Sequence, residues 1–88
     1  MDLDIKELFE KAVADSKTLP EKPGNDILLQ MYSLYKQGSS GDISGDPPSN
    51  PFDFVAKAKY DAWAALKGKS STDAMTEYID LVNKLKSN

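Results

Sequence analysis

Apolar residues recur along this chain at spacings of three and four, in four separate stretches, and nowhere do they alternate as a half-buried strand would. The first stretch spans roughly residues 2–17, with Leu3, Leu8, Phe9, Ala12 and Val13 as its stripe. Pro20, Pro23 and Gly24 break it. Asn25 is the predicted N-cap of a second helix that runs to about Gln37, with Gly38 as the residue just past its end. Residues 38–51 hold most of the glycine, proline and serine and read as a long loop. The third helix, "PFDFVAKAKYDAWAALK", starts with Pro51 near its first turn and ends at Gly68. Its stripe is Phe52, Val55, Ala56, Ala62, Trp63 and Leu66. Ser70, with Asp73 three residues on, resembles a capping box and opens a fourth helix striped by Ala74, Met75, Tyr78, Val82 and Leu85. Four amphipathic helices without strands predict a small all-α bundle.

Some positions depart from that pattern. On the second helix Ile27, Met31 and Leu34 form one apolar face, but Leu29, Tyr32 and Lys36 line up on nearly the opposite one. Lys59 falls close to the centre of the third stripe, where a charge is costly unless it snorkels or meets an anion. Tyr78 lies on the fourth stripe. Each has a bland explanation: a snorkelling lysine, a core tyrosine, a solvated aromatic–lysine pair. Together they describe faces that would converge on a pocket with apolar walls and a cationic end. Apolar walls suit a lipid-like tail, lysines and tyrosine hydroxyls suit phosphate, and tyrosine faces stack on bases. The ligand expected from such a pocket is amphipathic and anionic.

Composition narrows the chemistry. Eighty-eight residues predict one domain with a modest core. With no cysteine, histidine or arginine, disulfides, thiolate catalysis and histidine relays are excluded, and neither an enzyme nor a metal or cofactor is expected. Acids outnumber lysines, 14 to 11, which argues against a general nucleic-acid binder. No apolar run is long enough for a transmembrane helix, and the acidic start has no signal-peptide core, so a soluble intracellular protein is expected. Several short motifs fail. "GKSS" at 68–71 lacks the first glycine of a phosphate-binding loop, Trp63 standing in its place. "DISGDP" from Asp42 lacks the glycine and glutamate of a calcium loop. Asn50 is followed by proline and cannot be a glycosylation acceptor. "NPF" at 50–52 would suit a peptide ligand of another domain, although Phe52 is expected in the core.

"MYSLYKQGSSGDI" followed by "KAKYDAWAALKGKSSTDAMTEYIDLVNKL" closely resembles the acyl-CoA-binding protein family, in order and spacing, from Phe9 to Leu85. The resemblance implies a four-helix, up-down-down-up bundle forming a single domain over 1–88. It implies a cytoplasmic, monomeric carrier that binds long-chain acyl-CoA without turning it over, for transport, pool formation and protection. Neither nucleic acid nor stable membrane insertion is implied. Tyr32, Tyr35 and Lys36 match the residues that meet the ligand head group, Lys59 the lysine associated with the 3′-phosphate, and Tyr78 the tyrosine reaching the same region. Leu28 and Leu29 match positions near the acyl chain, and Lys17 and Lys22 match lysines at the rim. The chain departs from the family at Tyr60, where tryptophan is common, and at Pro47, where a basic residue is common. Val55 stands where some members have lysine, and the loop is one residue longer around "SNPF". The rival reading is a helical interaction module that has lost the ligand and uses the same face for a partner helix.

Overall fold

The computed structural model describes residues 4–87, which form α1 (Ile5–Ser16), α2 (Asn25–Ser40), α3 (Phe54–Ala64) and α4 (Ser71–Lys86). The predicted start of the first helix, with Leu3, lies outside the described residues. Side chains define three of the four helix starts. Asp4 accepts from the Lys6 N–H, Asp53 from Ala56 at 3.0 Å, and the Ser70 hydroxyl from Asp73 at 3.1 Å. The fourth start corrects the expectation for Asn25. Gly24 occupies the cap of α2 without a side-chain bond, and Asn25 is already helical.

Three further boundaries differ from the sequence reading, one of them the end of α3, which stops at Ala64 and gives way to turns over residues 65–68 instead of running to Gly68. α2 continues through Gly38 to Ser40, and Gly41 takes the positive φ of 82° that ends it. Gly38 serves packing instead. A β-carbon there would stand 3.1 Å from Met75 Cγ and 3.2 Å from Phe9 Cζ, so its absence lets α1, α2 and α4 approach. α3 begins three residues after Pro51, because Pro51 and Phe52 form a turn ahead of it.

The core is one cluster: Phe9 and Ala12 from α1, Met31 and Leu34 from α2, Ala74, Tyr78 and Val82 from α4. α3 supplies none of it. Phe52, expected in the core, is 81% exposed, and Phe54 and Val55 are exposed as well. The reason is the order of packing: α1 lies on α4, α4 on α2, and α3 on α2 alone. Contacts between helix ends give the directions. Lys86 at the end of α4 pairs with Asp15 at the end of α1, at 3.0 Å, so these two run the same way. Ser71, opening α4, donates to the Gln37 carbonyl near the end of α2, so α2 runs against α4. Trp63 late in α3 meets Gln37 late in α2, and the starts of both helices line one groove, so α3 runs with α2. The bundle is up-down-down-up.

Candidate functional site

α2 has two working faces. Met31 and Leu34 enter the core, whereas Leu29, Tyr32 and Lys36 turn toward α3. Because α3 packs on α2 alone, the seam between them stays open as a groove of about 370 Å³. Leu28, Leu29 and Tyr32 form one wall, and Phe54, Val55 and Ala58 the other. Lys59 stands at this groove with its ammonium 5.3 Å from the Tyr32 ring centroid, within cation–π range. Lys59 is exposed as a residue, so its charge is not enclosed by the apolar stripe. Lys36 lies farther along α2, with its ammonium 4.9 Å from the Trp63 centroid.

A second hollow, also about 370 Å³, adjoins the groove and shares Leu28 and Tyr32 with it. Lys17, Tyr35, Tyr78, Val13 and Met31 complete its lining. Its floor is aromatic. Phe9 stacks on Tyr35 with centroids 5.9 Å apart and meets Tyr78 edge-on at 5.2 Å. Tyr35 is 40% exposed and Tyr78 is buried, so one ring is offered to the surface and the other supports it. Burial pushes the Tyr78 hydroxyl above its usual pKa, with the Ser16 hydroxyl partly offsetting that and Tyr35 adding to it. Among the described residues the ion pairs are Lys57–Asp61, Lys69–Glu77 and Lys86–Asp15. Lys17, Lys36 and Lys59 are in none of these pairs, and Lys36 and Lys59 instead stand over aromatic rings.

The C-terminal half of α2 is held by a polar hub. Gln37 is fully buried. Its amide N–H groups donate to Asp42 Oδ1 at 2.8 Å and to the Lys69 carbonyl at 2.7 Å. Its Oε1 accepts from the Trp63 indole at 3.1 Å, and that indole also donates to the Gly41 carbonyl at 2.9 Å. Asp42 accepts in addition from the Gly68 N–H at 2.9 Å. That backbone bond, then the Gln37 amide, holds the Asp42 carboxyl below its ordinary pKa. Much of "YKQGSSGD", "AW" and "LKGK" therefore joins two helices, α2 and α3, and the two loops that follow them.

Of the residues singled out in the sequence, Leu28, Leu29, Tyr32 and Lys59 share the groove. Lys17, Tyr35 and Tyr78 meet in the adjoining hollow. Lys36 lies beside Trp63, and Lys22 lines a separate recess with Ile27 and Leu85. Sequence reading missed Phe54 and Ala58 as groove walls and Gln37 as the hub. Gln37 carried a signal, since it follows Leu34 by three residues on the core face of α2. The described residues hold no group of three or more acidic, histidine or cysteine side chains placed for a metal. An apolar trench joined to a tyrosine floor and unpaired lysines can hold a molecule with a greasy end and an anionic end.

The family model for acyl CoA binding protein matches residues 6–82. The chain is 47% identical to the acyl-CoA-binding protein of Dictyostelium discoideum over 77 residues, covering 88% of this chain and 90% of that one. It superimposes on the crystal structure of Oryza sativa Acyl-CoA-Binding Protein 2 with a TM-score of 0.89 and 37% identity, covering 96% of this chain and 92% of that one. The crystal structure of ACBP from Moniliophthora perniciosa gives a TM-score of 0.83 at 32% identity, covering all of this chain and 88% of that one.

Proposed function

The chain belongs to the acyl-CoA-binding protein family, and from that premise we propose a carrier that seats the acyl chain of an acyl-CoA thioester between α2 and α3 and its nucleotide end over the tyrosines beside it. The observation that carries this reading is the junction: the apolar groove and the tyrosine–lysine hollow share Leu28 and Tyr32, so one ligand can occupy both. Leu28, Leu29, Phe54, Val55 and Ala58 take the chain. Tyr32 and Tyr35 offer ring faces to the base, and Lys17 and Lys59 offer ammonium groups to phosphates on either side of Tyr32. Lys36 reaches the same ligand only by leaving Trp63, so its cation–π contact competes with phosphate for the same charge. Lys22, in its separate recess, acts on approach and not in contact. None of these groups is arranged to attack or protonate the thioester, which suits a protein that holds and releases its ligand unchanged.

Calorimetric titration with palmitoyl-CoA, free palmitate and free CoA tests the reading. Each methylene seated in the groove contributes about 0.8 kcal/mol, so affinity rises with chain length until the groove is full. Tight binding of the thioester, with far weaker binding of either fragment, is the expected result. The absence of both heat and thermal shift at every chain length would overturn it and favour a helix-binding module.

A further inference from the structure

The Asn50-Pro51-Phe52 turn lies outside the groove and is closed by hydrogen bonds of its own. The Asp53 N–H donates to the Asn50 carbonyl at 3.1 Å, which closes a β-turn with Pro51 at its second position. The Phe52 N–H donates to Asn50 Oδ1 at 2.9 Å, so the asparagine side chain caps the turn from within. Among the described residues no non-glycine residue has positive φ, which leaves the type I form. The result is a phenylalanine ring held out from the surface, 81% exposed, on a backbone fixed by proline and asparagine. Neither Asn50 nor Phe52 lines the groove.

We propose that this turn docks into a partner protein through a pocket sized for one phenylalanine ring and bordered by basic groups. Three observations favour such a partner. The turn is already folded, so the ordering cost of binding is small. Its Asn50 carboxamide uses its oxygen internally and keeps two N–H donors for an acceptor at the pocket rim. Its surroundings are acidic: Asp46 and Asp53 flank it, and no lysine occurs between Lys36 and Lys57. A lipid surface fits less well. Inserting Phe52 and Phe54 together would drag the Asp53 carboxylate, which caps α3, out of water, and an anionic leaflet would repel the acidic loop. A pocket that takes Phe52 alone avoids both costs.

The test uses the full chain, labelled with nitrogen-15, and a purified domain selected for binding a linear Ser-Asn-Pro-Phe-Asp peptide. Docking shifts the backbone amide signals of Ser49, Asn50, Phe52, Asp53 and Phe54, weakens as salt is raised, and falls at least tenfold in Phe52→Ala and several-fold in Asn50→Ala. Palmitoyl-CoA affinity of both variants stays within twofold of the parent, which also reports that they are folded. Binding that survives Phe52→Ala, or no shift at hundreds of micromolar domain, overturns the proposal. So does the reverse pattern, in which phosphatidylcholine vesicles with or without phosphatidylserine shift these signals and the domain does not.

Discussion

Replacing Gln37 with methionine removes both polar functions of the hub while keeping the side chain's length and place in the packing. Three hydrogen bonds disappear. Trp63 retains the Gly41 carbonyl and Asp42 retains the Gly68 N–H, so each loses one of two partners. The Lys69 carbonyl loses its side-chain donor at a part-buried position, a loss of about 1–3 kcal/mol, and the indole bond adds about 0.5–1.5 kcal/mol. We expect Gln37→Met to destabilise the protein by about 2–4 kcal/mol, a large share of the roughly 5–15 kcal/mol typical of a domain. The thermal midpoint then falls by on the order of 10–20 °C. Urea unfolding followed by far-ultraviolet circular dichroism gives the loss, and the fluorescence of Trp63, the single tryptophan, reports on the hub itself. Gln37→Glu is more severe at neutral pH, because a carboxylate there faces Asp42 and the Lys69 carbonyl with no proton to offer. It recovers in part under acid. A loss below about 0.5 kcal/mol in the methionine variant would refute the view that this network holds the C-terminal ends of α2 and α3 together.

Lys59→Met should leave the ligand-free protein within about 1 kcal/mol of the parent, since only an exposed cation–π contact to Tyr32 is lost. Its binding of acyl-CoA should weaken by about 1.5–3 kcal/mol, with little change for the 3′-dephospho ligand, and equal losses for the two ligands would place the 3′-phosphate elsewhere. Tyr78 has a raised folded pKa, so the unfolded chain releases that proton first. Stability falls as pH rises above about 10, and Tyr78→Phe should flatten this decline in alkaline unfolding curves. Gly38→Leu drives a branched side chain against Met75 and Phe9 and should cost about 1–3 kcal/mol by urea unfolding.

Periodicity identified α1, α2 and α4 because their stripes meet in a shared core, and the Ser70–Asp73 cap was readable to the residue. It misread α3 for a physical reason. An apolar residue lining a groove, such as Val55, has the same spacing as one lining a core, whereas Phe52 sits in the turn ahead of the helix, where helical spacing does not apply, and is exposed. Gly38 and Gly41 are both credible helix ends in sequence, and only the proximity of Met75 and Phe9 tells packing from termination. Within the candidate site, Tyr32 and Lys59 were legible as residues that did not fit a simple core, and they do meet. The Lys36–Trp63 contact joins two residues 27 positions apart in sequence, on different helices, which no local spacing encodes. The recess around Lys22 likewise depends on Leu85 arriving from the far end of the chain.

The absence of a buried residue in α3 has a thermodynamic consequence. Three helices own the core, and the fourth is attached through half-buried contacts and the Trp63 indole. Such an element is expected to open at a lower free energy than the rest, so that its backbone amides would exchange with solvent before those of α1, α2 and α4. A chain seated between α2 and α3 supplies the apolar neighbours that α3 lacks. On the proposed seating, ligand uptake is expected to complete the packing of α3, and the largest gain in exchange protection is expected in the helix that contributes least to the core.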